Sequence, residues 1–350
     1  MNGHDQPASQ DAASPSDPAR AALAGALIAD ALAMPVHWYY DQAALDRDYG
    51  PITGYAAPRN PHPDSILWRS HWDAPSPQTD ILGPRREHWG RRGVHYHQFL
   101  QAGDNTLNFL LALELFDLVL RDRDYDPERW LERYVAFMLA PASHADTYVE
   151  EYHRHFFTNL AAGRKPINCG VRDVHIGGLV PVPALVAALG PRHPDLRRVV
   201  RVHVGLTHKD ADVLAAADAF VRMLADACPR PDEPPAAPQD RARTLREAIL
   251  EHGGDWISAA KLRAWEEMPD TRLVGGVLSS ACYIDDAFPA ALALAWRHAG
   301  DVAGGVIANA RCGGDNCHRG AVVGALLAAS APIPAPLLAG LRLRGRVAAD

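Results

Sequence analysis

The chain has 350 residues and a mass of 38.0 kDa, enough to bury a sizeable core. Its 48% hydrophobic and 22% charged residues are the balance of a globular protein. With 35 basic against 42 acidic residues, the net charge of −7 argues against a nucleic-acid partner, though not against a small anionic ligand.

Residues 1–15 are polar and read as a disordered tail with no secretory pattern. Asp17 and Pro18 then open a helix to about Ala33, apolar nearly all round except for Asp30. Residues 41–100 are irregular and rich in proline, histidine and aromatics. Such a segment is expected to be ordered, folding across a cleft mouth as a lid or wall. Helices are predicted over Thr106–Leu120, from Asp126-Pro127 to Leu139, from Asp146 to Gly163, and over Asp210–Ala227. Pro229–Asp240 reads as a proline-rich surface linker. Leu245–His252, Trp256–Glu267, Asp286–His298, Val302–Arg311 and His318–Ala329 complete the helical set. The apolar run Ala321–Leu341 is broken by Pro332, Pro334 and Pro336, so a buried helix and loop are expected there, not a membrane span. Period-two alternation is scarce. The expected fold is all-α, a single domain over residues 16–345. The protein is expected to be cytoplasmic, with no membrane or nucleic-acid partner. Cys169, Cys228, Cys282, Cys312 and Cys317 are odd in number and irregular in spacing, so no disulfide framework is implied.

Three distant segments set a carboxylate among small or amide residues: Ala29-Asp30-Ala31-Leu32-Ala33-Met34-Pro35-Val36-His37, Gly103-Asp104-Asn105-Thr106, and Gly313-Gly314-Asp315-Asn316-Cys317-His318. The last two lie at helix starts, where free N–H groups favour anions and where an aspartate also serves as a cap. Histidines 71, 88, 95 and 97 beside Trp89 and Tyr96 read first as packing residues of a folded loop.

In order and flanks these segments resemble the ADP-ribosylglycohydrolase family, which includes the dinitrogenase reductase-activating glycohydrolase. That family reads G-x-x-x-G-D-A-L-G-x-P-x-E, T-D-D-T and G-G-D-T-D-T. Leu206-Thr207-His208-Lys209-Asp210 is similar to its S/T-H-x-D-P segment, and Cys282-Tyr283-Ile284-Asp285-Asp286 begins a block like its G-Y-x-x-D-x-x-x-A-L. Gly177-Gly178 stands where the family has N-G-x-x-M-R. The resemblance implies an all-α hydrolase that cleaves an N- or O-glycosidic bond of an ADP-ribosyl, nucleotide-like or ribosyl substrate with divalent metal. It implies metal ligands at His37, Asp104, Asn105, Thr106, Asp315, Cys317 and His318. Asp104, Asp315 and His318 are the implied catalytic groups, and Asp30, Gly177, Gly178, His208, Gly313 and Gly314 the implied substrate contacts.

The ligand positions depart from the family pattern. His37 replaces a glutamate, Asn105 and Cys317 replace aspartates, and Gly103 and His318 replace threonines. Magnesium wants oxygen, whereas a mixed N, O, S set suits one zinc, iron or manganese ion. Metal-free catalysis is a second expectation, with Asp104 or Asp315 as base, His318 or His37 as acid and Cys317 as nucleophile. Retained magnesium, a non-catalytic binding or scaffold role, and a different metal-dependent reaction such as a lyase stay open.

Overall fold

A computed structural model describes residues 15–140, 142–230 and 236–347. The tail expected over residues 1–15 lies outside them except for Pro15, which is buried.

The architecture is helix upon helix. In chain order it comprises α1 (Pro18–Ala33), α2 (Gln42–Tyr49), α3 (Leu107–Asp122), α4 (Pro127–Leu139), α5 (Glu151–Ala161), α6 (Val182–Leu189), α7 (Leu196–Gly205) and α8 (Ala211–Ala227). There follow α9 (Pro238–His252), α10 (Ala259–Trp265), the single turn α11 (Asp270–Arg272), α12 (Ile284–Arg297), α13 (Val302–Arg311), α14 (Asn316–Ser330) and α15 (Ala335–Gly340). Among the described residues no strand forms. The extended pairs are isolated bridges such as His175 with Tyr283.

α1 and α14 are the two central rods. Asp17 caps α1 by accepting from Ala19 N at 2.9 Å, and Pro18 sets the first turn. Both helices are small and apolar all round and nearly every residue of each is buried, the pattern of a fully enclosed helix. The segment Pro18–Val36 is long and apolar enough to cross a membrane, yet 94% of it is buried inside the protein. The two helices run antiparallel and touch backbone to backbone. A Cβ on Gly324 would stand 2.1 Å from the carbonyl oxygen of Gly25, and one on Gly25 would stand 2.2 Å from that of Gly324. Ala29 packs on Gly320 and Gly324, so the C-terminal end of α1 arrives at the N-terminal end of α14.

Four details differ from the sequence reading. Residues 42–49 of the irregular segment form a helix capped by Asp41. α5 begins at Glu151 instead of Asp146, whose carboxylate accepts from Leu107 N and so serves the start of α3. The end of the expected linker is helical, because Pro238 starts α9. α6 and α7 were not anticipated: prolines crowd the entry to one, and the other carries β-branched Val199, Val200 and Val204 on its buried face.

Gly324→Ala is therefore expected to cost about 1–3 kcal/mol, the usual range for an overpacked core. Thermal melts beside Gly54→Ala, whose Cβ would meet nothing within 4 Å, test this. Equal melting temperatures for the two variants would contradict the backbone contact.

Candidate functional site

Beyond α1 the chain makes one short turn, Met34–Val36, and His37 ends it. Trp38 follows with φ of 65°, a left-handed conformation that a tryptophan adopts only under constraint. Its N–H donates to Gly314 O at 2.8 Å, and Gly314 N donates to Tyr39 O at 2.7 Å. The two segments on either side of the site are thus zipped together. Gly313 and Gly314 have positive φ, and a Cβ on them would lie 2.2 Å from Tyr39 O and 2.1 Å from Ser280 O. Both are required as glycine by this close approach alone.

Asp315 stands at the head of α14 fully buried, and its side chain makes no cap hydrogen bond. Its Oδ1 accepts instead from His37 Nε2 at 3.0 Å and from His318 Nδ1 at 2.6 Å. Its Oδ2 lies 3.3 Å from His175 Nε2, and neither atom has a hydrogen-bond partner. His175 Nδ1 accepts from Gly177 N at 2.8 Å, so the neutral ring carries its hydrogen on Nε2, facing Asp315 and, at 3.6 Å, Glu150. Glu150 Oε1 is 3.9 Å from His318 Nε2. His175 and Glu150 are where the cluster meets solvent, at 10% and 6% side-chain exposure.

Environment drives these groups apart. Burial pushes Glu150 up to about 8, with the Asp315 charge adding to it. Burial also opposes the Asp315 charge, but His318 and His175 hold that carboxyl well below its ordinary value. For His318 burial disfavours the charged ring, and Asp315 outweighs it, raising the ring to about 9. Burial lowers His37 to about 4 and His175 to about 3. The site therefore offers an ionised Asp315, an imidazolium at His318, and an uncharged carboxyl at Glu150 near neutral pH.

An Asn108 amide separates His318 from His153, its two ends 2.5 and 2.7 Å from their Nε2 atoms. The structure sets the amide nitrogen toward His318 and its oxygen toward His153; a charged His318 only donates, which requires the amide turned over, its oxygen accepting from His318 and its nitrogen donating to His153, which burial keeps neutral.

The second segment does not join this centre. Asp104 points outward, with Oδ1 at 2.9 Å from Arg342 Nε and Oδ2 accepting from Gln101 N at 2.8 Å. Gly103 accepts from Arg342 N, so this turn docks the C-terminal segment. Asn105 Nδ2, Thr106 N and Thr106 Oγ1 all donate to Asp30, at 2.9, 2.8 and 2.8 Å. Asp30 is thus a buried clamp between α1 and α3. Cys317 is a buried thiol whose Sγ lies 3.8 Å from Asp30 O, and burial pushes it well up. Gly177 and Gly178 are buried behind His175, and a Cβ on them would press on Tyr152 Oη or Val213. The buried His208 pairs with Thr207 Oγ1 at 2.9 Å and packs on Tyr152, its ring centre 4.3 Å away.

Of the expected set, His37, Asp315 and His318 converge. The reading from sequence missed Glu150, His175, Cys282, His97 and Asp146 as members of the cluster. His175 lies two residues before Gly177, and Cys282 opens a block already singled out, so adjacency was an available signal. Glu150 had none, because its stretch reads as the interior of a helix.

A magnesium pair on the expected ligands does not fit. Asp104 is turned to Arg342, and Asn105 and Thr106 are spent on Asp30. Groups able to hold one ion do exist. His175, Cys282 and Asp315 bring one nitrogen, one sulfur and one oxygen within 4.8 Å of one another. The unpartnered His175 Nε2 and Asp315 Oδ2 both belong to that set. Gly177 N, however, donates to His175 Nδ1 and leaves the ring hydrogen on Nε2, so His175 becomes a ligand only when that hydrogen bond is given up.

Fold and site together define an all-α protein with a buried carboxylate–imidazole centre at the junction of its two central helices. The chain belongs to the ADP-ribosylglycohydrolase family, whose model matches residues 11–349. A solved structure described as an "ADP-ribosylglycohydrolase-related protein complex" aligns with a TM-score of 0.59 over 95% of this chain and 94% of that chain. At 20% identity that likeness is one of fold. No curated protein matches the chain.

Because His318 is raised above the ordinary histidine value, its pairing with Asp315 stabilises the fold fully below about pH 6.5. That contribution is lost as pH climbs through about 9. Melting curves of the EDTA-treated protein between these limits are expected to fall, and His318→Gln to flatten the fall. An unchanged slope in the variant would contradict the ion pair.

Proposed function

We propose that the protein is a hydrolase that cleaves an N- or O-glycosidic bond to a ribosyl carbon, in an ADP-ribosyl or nucleotide-like substrate. Support comes from one arrangement above all: within a chain of this family, two carboxyls flank the same His175 nitrogen in environments that drive them apart, burial raising Glu150 to about 8 while His318 and His175 hold Asp315 well below its ordinary value. A pair of carboxyls driven apart in this way divides the work of glycoside cleavage between acid and base.

In this reading Glu150 is the general acid. As the bond from the anomeric carbon to the leaving atom breaks, the Glu150 proton passes to that atom. The positive charge that develops on the sugar lies near Asp315, which His318 and His37 keep ionised. A water oxygen bonds to the anomeric carbon, and its proton goes to Asp315. Asp315 then releases that proton to solvent and Glu150 takes one back from it, which restores both groups. His175 Nε2 stands between the two carboxyls, 3.3 Å from Asp315 and 3.6 Å from Glu150. One zinc, iron or manganese ion on Cys282 and Asp315, joined by His175 once its Nδ1 no longer accepts from Gly177 N, would supply polarisation of that water.

Glu150→Gln is expected to lower kcat by about a hundredfold or more, the usual scale for losing a general acid. Release of ADP-ribose from ADP-ribosyl-arginine or a related glycoside measures it. A variant with wild-type kcat would remove Glu150 from this role.

Metal content provides a separate test. Elemental analysis is expected to find zinc, iron or manganese, at no more than about one ion per chain, and no magnesium pair. Ordinary turnover of ADP-ribosyl-arginine with magnesium alone, insensitive to chelators selective for softer metals, would overturn this expectation.

A further inference from the structure

We propose that Asp48, His62 and Asp64 form a further divalent-cation site, of the zinc class, in which Arg47 bridges the carboxylates until a metal ion displaces it. The site shares no donor with the Asp315 centre and does not depend on the hydrolase reading.

Asp48 lies in the last turn of α2, and His62 and Asp64 lie in the irregular chain that follows. One His62 nitrogen and one oxygen from each carboxylate lie within 4.8 Å of one another. His62 is 1% exposed, yet neither of its ring nitrogens has a hydrogen-bond partner among the described residues. Buried polar atoms are ordinarily paired, so a ring left this way points to a ligand. Its direction is set by other means. The His62 N–H donates to Gly93 O at 2.8 Å, its carbonyl accepts from Ser65 N at 3.1 Å, and the ring lies flat on Tyr39 with centres 4.2 Å apart.

The donor set selects the ion. An uncharged imidazole offers one lone pair, and each carboxylate brings a negative charge. One nitrogen with two carboxylate oxygens suits zinc or manganese better than magnesium or calcium, which prefer oxygen throughout. Zinc bonds of about 2.0–2.2 Å hold any two donors at most about 4.4 Å apart, so a small closing movement completes the set. Asp64 can make it, because its side chain is half exposed.

Arg47 is the competing cation. Its Nε donates to Asp48 Oδ1 at 2.8 Å, and one terminal nitrogen donates to Asp64 Oδ2 at 2.8 Å and to Asp48 Oδ2 at 3.1 Å. The guanidinium brings one positive charge to two negative ones. Its side chain is 56% exposed, and an exposed ion pair contributes little, so it yields to a dication. The same competition weakens the site, which takes up added zinc and does not carry it through purification.

Tyr39 connects this site to the fold around Asp315. Its Oη donates to Asp48 Oδ2 at 3.1 Å, and its carbonyl accepts from Gly314 N at 2.7 Å. An ion on Asp48, His62 and Asp64 would brace α2 and the following chain around Tyr39.

The test is a titration of EDTA-treated protein with zinc chloride, with bound zinc counted by equilibrium dialysis and melting temperature followed in parallel. Cys282→Ser serves as the background, since it removes a donor from the Asp315 centre. The expected result is one zinc ion per chain that raises the melting temperature. Asp64→Asn and His62→Gln are each expected to weaken that binding at least about tenfold, the scale for losing a group that supports a metal. Arg47→Gln is expected to tighten it. Zinc that binds equally well without Asp64 and His62 belongs to other histidines and would overturn the site, as would no binding at all. An Arg47→Gln chain that binds zinc no more tightly would overturn the displacement. If His62→Gln fails to fold, the half-exposed Asp64→Asn decides. If Cys282→Ser fails to fold, the loss of one bound ion is read in the unsubstituted chain.

Discussion

The contact of Gly25 with Gly324 is the constraint on which the site depends. It lets two fully buried helices meet at backbone distance, and it runs them antiparallel. The exit of α1 thereby arrives at the entry of α14. His37, four residues past the end of α1, reaches Asp315 at the head of α14 although 278 positions separate them. The short turn through Pro35, the left-handed Trp38 and the paired glycines 313 and 314 lock that meeting in place. A methyl group between the helices would force them apart, and the centre would open with them.

Around Asp315 the protein has assembled nitrogen where the family pattern calls for oxygen. Three histidine rings, those of His37, His175 and His318, surround one carboxylate. The cost of burying Asp315 is offset by hydrogen bonds from His37 and His318 and by the imidazolium charge of His318. Its second oxygen is left free, facing His175 and the uncharged Glu150. The same accounting explains why Asp104 is absent. Its turn is used to dock Arg342, and its charge is neutralised at the surface.

Much of the fold was legible in the sequence. Caps such as Asp17, Asp126 and Asp210, followed by apolar periodicity, gave helix starts that hold in the structure. The valine-rich α7 and the proline-led α6 were not legible, because tertiary burial overrides the local preferences of those residues. For the site, motif order located His37, Asp315 and His318. It misled at Asp104, because the segment's resemblance carries no information on which of two neighbouring side chains turns inward. Thr106 and Asn105 were assigned to metal through the family resemblance alone. Asp30, a buried acceptor across the helix pair, claims them first. His97 and Asp146 were invisible as partners, since nothing in a sequence pairs a loop histidine with a carboxylate 49 residues away.

The central claim is that glycosidic chemistry is organised around Asp315 and Glu150 and not around Asp104. A crystal structure with ADP-ribose bound tests it most directly. The account predicts the anomeric ribosyl carbon beside Asp315 Oδ2 at close to reaction distance, about 3–3.5 Å, with Glu150 on the side of the departing group. A ribose seated against the Asp104–Arg342 pair, or anywhere that leaves Asp315 and Glu150 without a contact, would contradict it.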